Sequence, residues 1–285
     1  MNILITAPKS YFIKNLILNI NKNHYFFYVI KKNNRDIKKI KDIFKRTNYK
    51  IIDLSIINKS KKIINKYKIK IAINSINSYN NKNTIFKTYN SNVTTPIKIF
   101  EIIKKSNIKY FINIDTILDH RTNFYSLTKY IFRNYIKSSN SNNLKIINLR
   151  FHNFYSYNIN DINFISYISK LCKLKKEIHM TRGIQKRDFI HIDDVINLVT
   201  EIISKITKFK KSNYFEFNIG GNQNMSILQI ANLVRKYYDS DTKLNVQKIK
   251  YNNAYEQISY FSENYKILKY IKWKPKHSIQ NKYIK

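Results

Sequence analysis

Apolar residues in this chain fall into short dense runs, separated by longer stretches in which they recur every three or four positions. Asn2 to Thr6 (NILIT), Tyr25 to Ile30 (YFFYVI), Ile69 to Ile73 (IKIAI), Tyr110 to Ile114 (YFINI) and Leu144 to Leu149 (LKIINL) are rich in β-branched and aromatic residues and predict strands. The intervening segments near Tyr11 to Ile20, Lys59 to Tyr67, Val93 to Lys105 and Phe124 to Lys137 have helical spacing. Strand and helix alternating in this way predict an α/β fold: a doubly wound parallel sheet of the Rossmann type, covered by helices on both faces.

Beyond Arg150 the rhythm changes. A loop-rich stretch (FHNFYSYNIND) precedes a helix near Ile162 to Leu174, a strand at RDFIHI, a helix at DDVINLVTEIISKI, a strand at YFEFNIG and a helix at SILQIANLVRKYY. This predicts two domains: residues 1–152 as the doubly wound, Rossmann-like unit, and residues 153–285 as a smaller mixed lobe from which some segments return to the first. The Asn-rich tracts NSYNNKN and SSNSNNL read as surface loops.

Composition alters the picture in three ways. The 285 residues are 43% hydrophobic, enough for a sizeable core. They include only 3 Gly and 3 Pro, far below the usual shares of about 7% and 5%. Lys, Asn, Ile, Tyr and Phe are inflated instead, the pattern of AT-rich codons. The formal net charge of +36 would ordinarily suggest nucleic acid, but the lysines are dispersed and no dense basic tract stands apart. Nucleic acid is therefore not the expected partner. The single cysteine, Cys172, excludes an internal disulfide and suits a reducing compartment. Pro8, Lys9 and Lys14 interrupt the first apolar run, so no secretory signal is read, and no run reaches the roughly 18 apolar residues of a membrane span. A cytoplasmic protein is expected.

The stretch YSLTK sets Tyr125 and Lys129 at i and i+4, on one face of a helix. An ammonium near a phenol favours phenolate, so Lys129 is expected to lower the Tyr125 pKa and make the pair a proton donor or acceptor. Spacing alone is weak here, because in so Tyr- and Lys-rich a chain chance supplies about three or four such pairs; Tyr28/Lys32, Tyr265/Lys269 and Tyr270/Lys274 are examples. Position separates Tyr125 from these. It follows the strand FINIDT, whose Thr116 would stand at the carboxyl edge of the sheet, where open α/β folds place ligands.

These residues resemble the extended short-chain dehydrogenases/reductases that act on nucleotide sugars, and among them the CDP-abequose synthase-like reductases. The resemblance is carried by TRGIQKRDFIHIDDV and FINIDTILDHRTNFYSLTKYIF, with SNVTTPIKIFE, NLRFHNFYS, EFNIGGNQNMSI and IKWKPKHSI along the length. It implies Tyr125 as catalytic acid/base, Lys129 as its tuner and a ligand of the nicotinamide ribose, and Thr116 as a substrate-polarising hydroxyl. It further implies that Asn92 supports Lys129, that Arg187 reaches the diphosphate of a nucleotide-diphosphate sugar, and that the cofactor lies against Ala7, Ser10, Tyr11, Phe12, Lys31, Asp53, Leu54, Asn74 and Asn92. Asn92 as a helix cap, Asp193 and Asp194 as caps of the following helix, and Arg187 in a surface ion pair are the plainer readings.

The family's glycine-rich first turn falls at Ala7, Ser10 and Ile13, where no glycine remains. Losing the first is expected to force the turn away from positive φ. The third puts a branched side chain where helix and strand pack closest. The second strand ends VIKKNNRD, with no acidic residue for a ribose 2′-hydroxyl, so Lys31, Lys32 and Arg35 favour NADP, with NAD the alternative. Three readings stay open: a working NAD(P)-dependent 4-ketoreductase or epimerase, a catalytically weakened relic of that fold, and a basic RNA-binding derivative. The residue after Thr116 is Ile117 and not Glu, which disfavours a dehydratase. A homodimer through the helices near Val93 and Phe124 is the family's implied assembly.

Overall fold

The computed structural model describes residues 1–20, 24–30, 34–45, 47–53, 57–79, 84–139, 143–157, 163–246 and 262–283. Lys31 and Leu54, both expected beside the cofactor, lie outside them. The elements run β1 (Asn2–Thr6), α1 (Tyr11–Asn19), β2 (Tyr25–Ile30), α2 (Asn34–Ile43), β3 (Asn48–Asp53), α3 (Ile57–Lys66), β4 (Ile71–Asn74), α4 (Ile85–Tyr89), α5 (Thr95–Lys104), β5 (Tyr110–Thr116), α6 (Phe124–Lys137) and β6 (Lys145–Phe151). They continue β7 (Phe154–Tyr155), α7 (Phe164–Lys173), β8 (Ile178–Met180), β9 (Lys186–Asp188), β10 (Ile190–His191), α8 (Ile192–Ser204), β11 (Tyr214–Ile219), β12 (Asn224–Ser226), α9 (Ile227–Tyr237), β13 (Leu244–Val246) and α10 (Ile279–Tyr283).

Two compact units emerge. The first comprises Met1–Thr116, Asn123–Arg150 and Val199–Phe217; the second comprises Ile117–Thr122, Phe151–Leu198 and Asn218–Lys285. The first holds a seven-stranded parallel sheet in the order β11-β6-β5-β4-β1-β2-β3. Ile3 stands beside Phe26 on one flank and Ile71 on the other, and Ile73 beside Ile112. The strand order reverses between β1 and β4, the point at which open α/β sheets place a ligand crevice outside their carboxyl edge. All four residues of β4 are buried, as a central parallel strand covered on both faces requires. The core joins Leu4, Phe27, Ala72, Phe111 and Ile146 of the sheet to Ile99, Phe100, Ile103, Phe132 and Ile136 of α5 and α6. Phe100 meets Phe111 edge to face at 5.1 Å, a favoured aromatic geometry.

One line of polar side chains crosses this apolar sheet. Thr6 Oγ1 donates to Asn74 Oδ1 at 2.9 Å, Asn74 Nδ2 to Asn113 Oδ1 at 2.9 Å, and Asn113 Nδ2 to Asn148 Oδ1 at 2.7 Å. Asn148 Nδ2 then donates to Asp115 Oδ2 and Glu216 Oε2, each at 3.1 Å. The row spans five adjacent strands. Each buried amide left unpaired would cost about 1–3 kcal/mol.

The second unit packs Tyr155, Ile165, Ile168, Phe189, Ile230, Val234 and Ile279 into its own core, built chiefly by α7, α9 and α10. Three short ladders complete it: β7 with β10 and β8 with β13 in parallel, and β9 with β12 antiparallel. The RDFIHI strand divides around Phe189 into β9 and β10. YFEFNIG, expected in the smaller lobe, is β11, the edge strand beside β6. Its alternating half-buried and buried residues suit an edge covered on one face. Among the described residues no helix is long and apolar enough to cross a membrane.

The first turn departs from expectation. Ala7 adopts φ +50°, so the loss of glycine did not flatten the turn. The Ser10 amide donates to the Ala7 carbonyl at 3.0 Å, and Ser10 Oγ accepts from the Ile13 amide as the N-cap of α1. These contacts hold the left-handed residue in place, at a steric cost of about 1–2 kcal/mol for a Cβ. Ile13 is fully buried, so its branched side chain lies in the core and not in the crevice. Ala7→Gly should therefore raise stability by about 0.5–1 kcal/mol, the relief of strain outweighing the entropy of a freer unfolded chain. Urea denaturation checks this: a higher midpoint at unchanged slope is expected.

Candidate active site

Tyr125 sits in the first turn of α6, and Thr116 ends β5. Asn123 caps α6: its side chain accepts from the Ser126 amide at 2.8 Å while Ser126 Oγ accepts from the Asn123 amide at 3.2 Å. Such a reciprocal cap fixes where the helix starts, and so where the phenol stands. The Arg133 guanidinium, two turns on, donates to Asp115 Oδ2 at 2.9 Å and to the Thr116 carbonyl at 3.5 Å. The end of β5 is thereby tied to α6.

Tyr125 is 8% exposed and Lys129 3%. Lys129 Nζ donates to the Ile114 carbonyl at 2.8 Å and the Ile76 carbonyl at 3.4 Å, using two of the three donors of an ammonium. Burial pulls the Lys129 amine below its ordinary range; Asp115 opposes the shift and Arg133 adds to it. The phenol moves opposite to the sequence expectation. Burial pushes Tyr125 well above its ordinary value of 10, and Tyr79, by its proximity and a shared hydrogen bond, pushes further, as does Asp115. Lys129 is not among the groups that shift it, and desolvation is the largest cause.

Asn92 lies in a π-helical turn, Asn90–Thr94, and not at a helix cap. Its Oδ1 accepts from the Ser78 amide at 2.8 Å, and its Nδ2 donates to the Ser78 carbonyl at 2.9 Å and Thr128 Oγ1 at 3.0 Å. The side chain expected at the cofactor is thus spent holding the β4 exit, residues 75–79, against α6. Through that segment it acts on Ile76, whose carbonyl Lys129 binds. Asn74 was expected at the cofactor too, but it is buried and both ends of its carboxamide are taken by Thr6 and Asn113. The Phe12 ring is buried, which leaves only its backbone for a ligand, whereas Tyr11 is exposed. Ser10 is the cap described above. Asp53 ends β3, half-buried.

In the second unit Arg187 lies on β9 at 6% exposure, so it is not a surface group. Its Nη1 donates to the Lys186 carbonyl at 2.8 Å. Asp194, expected as a helix cap, instead accepts from the Lys276 and His277 amides and meets His277 Nδ1, all at 3.0 Å. His277 stacks on His191 at 4.3 Å. His191, Asp193 and His277 bring their ligating atoms within 4.8 Å of one another. Asp194 and the Asp193 amide, however, already engage Nδ1 of His277 and of His191. The cluster latches the Pro275–Ser278 segment.

Tyr79, Asp115, Arg133, Asn113 and Asn148 were not singled out from the sequence. Three of them carried a readable signal, since Asn113, Asp115 and Asn148 interrupt the apolar strands FINID and KIINL, where a polar residue must find a partner. Tyr79 carried none among 23 tyrosines.

The sequence profile of the NAD dependent epimerase/dehydratase family matches residues 14–220, more than half of the chain, and this protein belongs to that family. The match begins just past the glycine-free turn. CDP-abequose synthase of Salmonella muenchen is 22% identical over 208 residues, covering 70% of this chain and 69% of that one. Among solved structures, UDP-glucuronic acid 4-epimerase from Bacillus cereus, in complex with UDP-glucuronic acid and NAD, superposes with TM-score 0.76 at 19% identity, over 99% of this chain and 96% of the other. WbmG of Bordetella bronchiseptica, in complex with NAD and UDP, gives 0.73 at 16% identity over 99% and 94%. At such identities the structural likeness is one of fold.

The His191 ring yields a pH prediction. Burial and the neighbouring His277 hold it below its ordinary 6.5, against the pull of Asp193 and Asp194. The folded state therefore binds fewer protons than the unfolded one, and stability present above pH 6.5 is lost as pH falls below it. Melting curves should show a fall in Tm from pH 7 to pH 5 that is smaller in His191→Gln. An equal fall in both contradicts this role.

Proposed function

We propose that this chain is an NAD(P)-dependent oxidoreductase that reduces the 4-keto group of a nucleotide-diphosphate sugar, with Tyr125, Thr116 and Lys129 as its catalytic set. The observation that supports the reading is the phenol of Tyr125, buried in the first turn of α6 one turn from Lys129, whose Nζ donates to the carbonyl of Ile114 on β5, the strand that ends at Thr116. Ketone reduction asks a proton donor of this position; epimerisation, the alternative, asks the same group to accept a proton as well. The names of the Salmonella synthase and of the UDP-sugar epimerases support the substrate class by analogy.

The first turn fits a dinucleotide. Ala7 keeps the left-handed conformation, Ile13 leaves the crevice clear, and α1 presents its N-terminus with the dipole that favours phosphate. Pro8 supplies no amide, so the backbone at Tyr11 and Phe12 would bear the pyrophosphate, with Ser10 shaping the turn. Asp53 would meet the adenosine end, and the third donor of Lys129 the nicotinamide ribose. When bound, the dinucleotide supplies hydride to the carbonyl carbon. Thr116 would orient the carbonyl oxygen and Tyr125 would give it a proton. Arg187, with its planar fork, would serve the diphosphate. NADP is favoured over NAD by Lys31, Lys32 and Arg35 and the missing acidic residue after β2.

Exposed apolar side chains on α4 and α6 support a homodimer. Phe86 is 81% exposed, with Ile85, Tyr89 and Leu127 also at the surface. Phe86→Glu should shift the protein from dimer to monomer in light scattering; an unchanged mass contradicts the assembly.

Activity is tested with reduced cofactor and a panel of 4-keto nucleotide sugars, following loss of absorbance at 340 nm. Turnover is expected, reduced at least 100-fold in Tyr125→Phe, and weaker cofactor binding in Lys129→Ala. Turnover that survives Tyr125→Phe would overturn the assignment.

A further inference from the structure

We propose that Tyr79 is a second working phenol of this site, through which Tyr125 exchanges its proton with solvent. The proposal rests on the oxidoreductase reading and adds a residue to it.

The two rings stand 4.4 Å apart, inclined at 33°, so the two side chains are in contact. Their exposures differ sharply: 8% for Tyr125 and 59% for Tyr79. One phenol is therefore buried and the other faces water, with their rings in contact. The arrangement is held from behind. Asn92 grips both backbone groups of Ser78, the residue before Tyr79, and donates to Thr128, which donates to the Tyr125 carbonyl at 2.7 Å. A closed path of buried hydrogen bonds thus fixes the Tyr79 backbone relative to that of Tyr125.

Chemistry gives this pairing a task. When Tyr125 protonates a carbonyl oxygen, its O–H bond breaks as the substrate O–H forms, and a phenolate remains where burial and Asp115 both disfavour negative charge. Lys129 is one answer, but its ammonium is 3% exposed and bonded to two carbonyls, so it has no direct path to water. Tyr79 is the other. Transfer of its proton to Tyr125 is between like groups, so it needs little driving force, and it moves the charge to a ring that water reaches. Water then reprotonates Tyr79. In the oxidative direction each transfer reverses. The groups facing Tyr125 are Tyr79, Asp115 and, one turn along α6, Lys129; of these only Tyr79 is exposed.

Tyr79→Phe removes the hydroxyl and keeps the ring. Two readouts are needed, one independent of turnover. In ligand-free protein labelled with 13Cζ-tyrosine, with the Tyr125 signal assigned by its loss in Tyr125→Phe, ionisation of Tyr125 should move to lower pH in Tyr79→Phe. In turnover, kcat should fall about 10-fold with KM unchanged and a larger solvent isotope effect. An unmoved Tyr125 titration, or an unchanged kcat, overturns the relay. Wild-type protein that binds no nicotinamide dinucleotide at all removes the oxidoreductase reading beneath it, while the NMR titration separately decides whether the two phenols are coupled.

Discussion

Five adjacent strands of this sheet are stitched by a row of hydrogen-bonded polar side chains, and the position of the candidate site depends on that row. An amide in a low-dielectric interior must be paired. Thr6, Asn74, Asn113, Asn148 and Glu216 pair only with the strands in the register seen, since a slip by one residue would turn each to the opposite face. In that register β1 and β4 end side by side at Thr6 and Asn74, and β5 runs on past Asn113, the partner of Asn74, to Thr116. From those ends leave the Ala7 turn, the Ser75–Tyr79 segment and Thr116, the three parts that border the crevice.

Burial governs the chemistry in the same way as it governs the fold. It raises the Tyr125 phenol and lowers the Lys129 amine, so both are driven towards their neutral forms. Asp115 and Arg133 stay paired beside them at 2.9 Å, anchoring α6 to β5. The Tyr125 phenol is shifted by desolvation first and by the neighbouring Tyr79 second. The glycine-free turn fits the same logic. Where a family pattern uses a residue without a Cβ, this chain keeps the backbone shape and accepts strain at Ala7.

Much of the fold was legible because its central strands are apolar on both faces. β1 and β2 and helix α6 fall where their patterns put them, and β4, β5 and β6 within two residues. β3 and α2 escaped notice because NYKIID at the sheet edge and the lysine-rich NRDIKKIKDI lack dense apolar runs. β11 read as part of the second lobe, since sequence order says nothing of a strand that returns to an earlier sheet. Motif and address singled out Tyr125, Lys129 and Thr116 as the candidate site. Asn74 and Asn92 have carboxamides engaged within the scaffold, and sequence does not show this because a polar residue near a cofactor loop reads alike whether it faces the ligand or holds the scaffold. Tyr79 was invisible for a compositional reason, and only proximity in space distinguishes it.

The account turns on whether a crevice entered past Ala7 and Pro8 still accepts a nicotinamide dinucleotide beside Tyr125. Titration of NADH and NADPH into the protein, read by nicotinamide fluorescence, measures this directly. Saturable enhancement at submillimolar cofactor, weakened by Lys129→Ala, is the predicted result; no binding of either dinucleotide up to millimolar concentration would contradict it.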